Sequence, residues 1–274
     1  MKDSSYPIKI LKYGLNEVLS SHVDQMRLKQ VKIGSKTIFI YNISPRNLVA
    51  SMCYKLLGNK IYYHLHDPLP HIGWKRLPIF VLQFIQVLLA DRVIVFSKTL
   101  RDLTKKYYCF YGGIILADHG RSTALRNLEH IGGNYQYGWF GTYASYKYNM
   151  SISDCLELLE SSNAVFVGKG YPLNLSGFVF SEYLKDREYF SLMNSVDYIV
   201  VLYKDVSFSG VIHDGVALGK SFVANQLCMN YILKNYPQYQ VLKIIGRLFI
   251  LNCTEPMSSL ELGWSKYVKE VFYD

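Results

Sequence analysis

Short apolar runs of strand character alternate with helix-period segments along most of the chain, and few folds accommodate that alternation. "KTIFIYNIS" reads as a strand and "RNLVASMCYKLLG" as a helix. "KIYYHLH" and "DRVIVFS" are strands separated by the apolar helix "FVLQFIQVLLA". "KTLRDLTKKYY" is a helix with Ser97 suited to cap it, and "GGIILADHG" closes the series as a strand. The polar, glycine-containing stretch "LRNLEHIGGNYQY" reads as a linker. A second series follows: "YGWFGTY" strand and loop, "ISDCLELLES" helix, "NAVFVGKG" strand and loop, and "SGFVFSEYL" strand. It continues with the helix "KDREYFSLMNSV", the strand "DYIVVLYKD", the helix "SGVIHDGVALG" and the strand "KSFVANQ". Two such series predict an α/β chain of two Rossmann-like domains, residues 1–130 and 131–254, facing each other across a cleft. A terminal segment, residues 255–274, is expected to be helical. Little sequence precedes "KTIFIYN", so the first domain is expected to be reduced.

Composition narrows the partners. The 274 residues are half apolar and carry 30 Lys and Arg against 21 Asp and Glu, a net of +9. That charge favours an anionic ligand or an acidic lipid surface. Nucleic acid is disfavoured, because no basic stripe with interleaved aromatics occurs. Five scattered cysteines argue against a zinc site or a disulfide framework and fit a reducing compartment. "MKDSSYPIKILKYG" lacks an uninterrupted apolar segment, so a cytoplasmic protein is expected. The run "LPIFVLQFIQVLLADRVIVFS" is broken by Gln83, Gln86, Asp91 and Arg92 into pieces too short to span a bilayer. It reads as a buried helix and strand, with a helix lying on a membrane surface as the alternative.

Ligands of doubly wound sheets bind in the loops beyond the strands' carboxyl ends. "HLHDPLPHIG", "WFGTYASYK", "VGKG" and "LYKDVSFSGVIHDG" occupy such loops. In the last, Ser207, Ser209 and Gly210 precede a helix whose first amides lack partners. That suits an anion, although Ser-Gly before a helix also serves as a plain cap. In "YYHLHDPLPHIG", His66 and Asp67 stand at a strand end as candidate acid–base groups, with His64 on the same face as His66. Asp67 before Pro68 is also suited simply to start a turn, and His71 to lie on the surface. The two prolines are expected to hold this loop without extra hydrogen bonds. His119, in "ADHG", reads as a packing histidine or a further base.

The ordered set "ADRVIVFSKTLRD", "WFGTYASYK", "AVFVGKG", "LMNSVDYIVVLYKD" and "SGVIHDGVALGKSFVA" resembles GT-B glycosyltransferases of the large family 4 type, over about residues 36–225. "HDPLPH" is similar to a motif of bacterial polysaccharide-assembly members of that group. The resemblance implies a metal-independent transferase that needs no cofactor beyond its nucleotide diphosphate sugar donor. It implies a glycan acceptor, lipid-linked, met at the inner face of a membrane during surface-polysaccharide assembly, where the Leu77–Ala90 helix suits docking. It puts the diphosphate at Ser209, Gly210 and Val211, with Gly141 and Thr142 lining the cleft and Lys147 and Lys169 as cations. The base would rest near Tyr183 and Leu184, and the ribose on Asp214, where the family usually has glutamate. It makes His66 or Asp67 the acceptor-side catalytic group and returns the terminal helix to the first domain, with Trp264, Tyr267 and Phe272 as packing residues. Two positions depart from the family pattern: Val206 stands where retaining members have a glutamate, and Thr142 where many have an arginine. Retaining and inverting chemistry both stay open, and so does a degenerate module that binds a nucleotide or a partner without turnover.

Overall fold

The computed structural model describes residues 8–11, 37–40, 43, 45–68, 76–117, 128, 135–172, 175, 177–180 and 184–254. Tyr183, His71, His119 and the expected terminal helix lie outside them. The chain divides into two compact units, one containing the described residues before Gly120 and the other those between Arg121 and Leu262.

Unit 1 is built on a parallel sheet in sequential order, β1 (Ile8–Leu11), β2 (Thr37–Ile40), β3 (Lys60–His64), β4 (Arg92–Val95) and β5 (Ile114–Leu116). β1 is a finding, since the stretch "IKIL" stands ahead of the first strand that the alternation predicts. Between the strands run α1 (Pro45–Leu56), α2 (Arg76–Leu89) and α3 (Lys98–Tyr107). Sequential order with right-handed crossovers puts these three helices on one side of the sheet. Ser97 caps α3 by accepting the Leu100 amide at 2.9 Å, as its position predicts. Ile61, Val93, Ile94, Val95 and Leu100 are wholly enclosed, which is why "VIV" of β4 reads as an unbroken apolar run.

Asp91 joins three of these elements. Its Oδ2 accepts the Ile61 amide at 2.7 Å, its Oδ1 lies 2.6 Å from Lys55 Nζ, and its own amide donates to the Ile61 carbonyl. The aspartate of "ADRVI" therefore ties α1, β3 and the start of β4 together.

Unit 2 has a seven-stranded sheet in the order β11-β12-β10-β9-β6-β7-β8. β6 (Tyr135–Phe140) is the middle one of its five parallel strands, with β7 (Ala164–Val167) and β8 (Phe178–Phe180) on one side. On the other lie β9 (Val196–Val201) and β10 (Ser221–Ala224), all parallel. β6 begins two residues ahead of the predicted "YGWF" start. Tyr135 and Tyr137 are buried and already paired with β9, so the expected linker is shorter at this end. The helices are α4 (Ile152–Leu158), α5 (Asp186–Ser195), α6 (Gly210–Ala217) and α7 (Gln226–Asn235). An antiparallel hairpin, β11 (Tyr239–Ile245) and β12 (Leu248–Cys253), turns at Gly246, whose φ is +57°, and completes the sheet on β10. α7 and this hairpin extend the alternation beyond its last predicted strand.

α5 continues into β9 without an intervening residue. The Lys220 ammonium donates to the carbonyls of Asn194 and Val196 on either side of that junction, satisfying acceptors that a helix end leaves open.

Asp91→Ala should cost about 1–3 kcal/mol, because it strands the Ile61 amide as well as Lys55. Lys55→Met should cost at most about 1 kcal/mol, the half-exposed ion pair being screened. Urea unfolding followed by a unit 1 probe separates the two. Equal losses would mean that the ion pair and not the backbone bond carries the effect.

Candidate functional site

Strand connections in unit 2 run from β6 outward through β7 and β8, then return to β9 on the opposite side of β6. Such a reversal leaves a crevice at the strands' carboxyl ends. A cavity of about 620 Å³ opens there, and its walls come from the ends of β6 and β7 and from α5 and α6. Seven of the residues singled out in the sequence line it together: Gly141, Thr142, Lys169, Leu184, Gly210, Val211 and Asp214.

The floor is main chain packed on main chain. Gly141 donates to the Val167 carbonyl at 2.8 Å, Gly168 to Phe180 at 2.9 Å, and Tyr143 to Lys169 at 2.8 Å. Gly168 has φ +138°, and a Cβ there would run into the Gly141 carbonyl. Only glycine allows the two strand ends to approach this closely. The contact brings exposed Lys169 and exposed Thr142 to the same rim.

α6 supplies the opposite wall. Ser209 caps it, accepting the Ile212 amide at 3.3 Å, and shares a hydrogen bond with the Tyr203 phenol, which burial holds above its ordinary pKa. Tyr203 is fixed in turn, since its carbonyl accepts from Asn225 Nδ2 at 2.9 Å and its backbone bridges Tyr148. The hydroxyl of Ser209 is thus engaged in capping, and the residues of the loop that line the cavity are Gly210 and Val211. Gly210 is exposed, and no heavy atom stands within 4 Å of where its Cβ would be. The positive end of the α6 dipole, at Gly210 and Val211, therefore borders the cavity.

The third wall was not foreseen. Asp186, Tyr189 and Phe190 of α5 line the cavity beside Leu184. Their i, i+3, i+4 spacing on a predicted helix was the available signal. The Glu188 carboxylate accepts the Lys185 amide at 3.1 Å and fixes the start of α5. Burial, then Asp214 and Tyr203, raise the Tyr189 phenol above its usual pKa, so it stays a hydroxyl donor. The lining thus combines a helix start and a lysine with carboxylates, a phenol and apolar faces. An anion suits the first set of groups, and hydroxyl groups or a planar apolar group suit the second.

Lys147 stands elsewhere in unit 2. It is exposed, ends a short 3-10 turn over Ser145–Lys147, and its carbonyl accepts from Lys204 at 2.7 Å. It is not among the residues lining the cavity. Val206 is buried among the apolar residues of the core.

In unit 1, His64 and His66 both pack on the Phe96 ring, with centroids 5.4 and 6.0 Å away. Burial holds the His66 imidazole below its ordinary pKa, against the opposite pull of Asp67. The imidazole is neutral at pH 7 and able to accept a proton. The expectation that prolines alone hold this loop is corrected: Gln83 Nε2 donates to the carbonyls of Asp67 and Pro68 at 2.8 and 3.1 Å. The Tyr108 hydroxyl reaches Pro68 as well, at 3.1 Å.

No protein family matches the chain by sequence, and no characterised protein does. Solved structures match it in fold. HepE of Anabaena in complex with UDP and glucose superposes with a TM-score of 0.53 at 17% identity, over 80% of this chain and 66% of that one. The complex of HepE with UDP gives 0.51 at 17% identity, over 77% and 65%. Sucrose-phosphate synthase of Thermosynechococcus elongatus gives 0.51 at 14%, over 78% and 62%. The chain spans about two thirds of the length of these proteins. Two α/β units with parallel sheets and these neighbours give the chain a GT-B-like fold of Rossmann-like domains.

Proposed function

We propose that the chain is a glycosyltransferase of the family 4 type that takes its sugar from a nucleotide diphosphate donor. The observation that carries this reading is the unit 2 cavity, where seven residues named from the sequence meet at the reversal of strand order. The diphosphate lies on the amides of Gly210 and Val211 with Lys169 beside it, and Lys147 is a further cation at longer range. The ribose hydroxyls donate to Asp214, and the base lies against Leu184 and Phe190. Attack of an acceptor hydroxyl on the anomeric carbon forms the new glycosidic bond. The bond to the diphosphate oxygen breaks, and its electron pair leaves with the nucleotide. Helix amides and lysine stabilise that developing charge where it forms. His66 or Asp67 takes the acceptor's proton. HepE was solved with UDP and glucose, which accords with a nucleotide sugar here. The acceptor is a lipid-linked glycan at the inner face of a membrane, as the likeness of "HDPLPH" to polysaccharide-assembly enzymes suggests.

A second reading, a module that binds a nucleotide without turnover, is favoured by one observation: the place of the family glutamate holds Val206, enclosed in the core. Turnover of a labelled nucleotide sugar distinguishes the two.

Gly210→Val should leave the melting temperature unchanged, since open space surrounds the position, yet lower affinity for UDP by ~10-fold or more. Lys169→Ala should weaken UDP more than uridine. Calorimetric titration reads both, and unchanged UDP affinity in folded Gly210→Val protein would remove the donor site.

His66→Ala or Asp67→Asn should lower transfer by ~10² to 10⁴ while nucleotide affinity holds. With His66 as base, activity stays level through neutral pH and falls only below the ordinary imidazole value of about 6.5, where the depressed folded pKa is reached. The stability contributed by neutral His66 follows the same sign: complete above that value and lost as pH falls through the folded pKa. A pH profile unchanged in His66→Ala assigns the proton to Asp67.

A further inference from the structure

Two carboxylates line the unit 2 cavity, Asp186 on α5 and Asp214 on α6, against one lysine among the described residues. In a pocket for an anionic ligand, a carboxylate that receives no hydrogen bond from that ligand repels it. The ribose hydroxyls supply Asp214, so the donors for Asp186 have to come from the base. A plainer role for Asp186 is to complement the dipole at the start of α5, where the first turn contains two acids, Asp186 and Glu188. Glu188 already closes that turn, its carboxylate accepting the Lys185 amide at 3.1 Å, and it is not among the cavity residues. Asp186 is among them. Because α5 leads directly into β9, its first turn stands at the carboxyl ends of the strands, at the mouth of the cavity. Tyr189 and Phe190 follow one turn further in, on the same face. Tyr189 feels the charge of Asp214, which puts the phenol between the ribose carboxylate and Asp186. The succession from Gly210 through Asp214 and Tyr189 to Asp186 thus follows the order of a nucleotide: diphosphate, ribose, base.

The chemistry of the bases decides which of them suits a carboxylate. An ionised carboxyl group is an acceptor only, with two oxygens side by side. Guanine presents two adjacent donors on one edge, N1–H and the exocyclic amino group, and can make a bidentate pair. Uracil has its single N3–H between two carbonyl oxygens. In adenine and cytosine the amino group adjoins a ring nitrogen that is itself an acceptor. Each of these three would set a lone pair against a carboxylate oxygen, which is a cost as well as a missing bond. A base seated against Leu184 and Phe190, with this edge toward Asp186, is therefore best matched as guanine.

We infer that the donor is a guanosine diphosphate sugar and that Asp186 selects its base, accepting from N1–H and the amino group of guanine. The inference rests on the donor-site reading of this cavity. Calorimetric titration of the full chain should give GDP an affinity ~10-fold or more above UDP and ADP, which share its diphosphate and ribose. Inosine diphosphate, which lacks the amino group, should fall below GDP, a comparison that needs no variant. Asp186→Asn should exchange the ligands. Xanthosine diphosphate has a carbonyl where guanine has the amino group, so an amide matches it. It should bind the variant ~10-fold more tightly than it binds the parent, while GDP binds the variant ~10-fold more weakly. An acid that served only the helix dipole would change stability and leave the order of the nucleotides as it was. Two results would each overturn the inference while the donor site stands. One is UDP or ADP binding the parent as tightly as GDP. The other is a folded Asp186→Asn protein that keeps the parent's preference for GDP over xanthosine diphosphate. Binding of none of these nucleotides to the parent would remove the donor site itself, and the inference with it.

Discussion

The approach of one strand end to another at Gly141 and Gly168 underlies the whole second unit. Three main-chain hydrogen bonds pass between the segments after β6, β7 and β8, and no side chain fits between them at Gly168. Because that layer is thin, the ends of β6 and β7 share a cavity with α6, which enters from the other side of β6. A thicker layer would separate Lys169 from the amides of Gly210 and Val211, and the cations and dipole would no longer face a common space. The close packing thus sets an electrostatic condition: positive ends from two connections, one outward and one returning, converge at the reversal of strand order.

Polar groups do similar work in unit 1. Asp91 closes the junction of α1, β3 and β4, while Gln83, Gln86 and Ser51 bond inward between helices and the "HDP" loop. Buried amides and hydroxyls favour pairing, and three of these bonds tie separate elements: Asp91 to β3, Gln83 to the loop and Ser51 to Gln86. On α2 both glutamines are used inside, and the side chains left outside, Leu77, Val81 and Leu88, are apolar.

Much of this was legible in the sequence because the signals are local. Strand runs, helix periods and the caps at Ser97 and Ser209 depend on neighbours within a few residues, and the structure bears them out. β1 escaped because three apolar residues around a lysine, in a polar context, make a weak run, and what identifies it is its parallel pairing with β2. The early start of β6 escaped because tyrosines read equally well as surface, and their burial comes from packing beside β9. The hairpin at Gly246 had its signal, a glycine-containing turn between two β-rich runs. At the site, motif residues announced themselves, whereas Tyr189 and Phe190 line the cavity only because α5 presents that face. The reversed polarity of α2 was also hidden, since two glutamines in an apolar helix read as interruptions of the core and not as its bonded interior.

The junction of α5 and β9 limits how the cavity can respond to what enters it. A helix joined to its strand by a loop can tilt about that loop. α5 runs straight into β9, and the Lys220 ammonium grips carbonyls on both sides of the joint. Tilting the wall formed by Asp186, Tyr189 and Phe190 would require breaking those bonds or shifting β9 in the sheet. The width of the pocket on that side is therefore built into the backbone. Selection among occupants of different size falls to side-chain rotamers and to steric refusal, in the manner of a gauge with one fixed jaw.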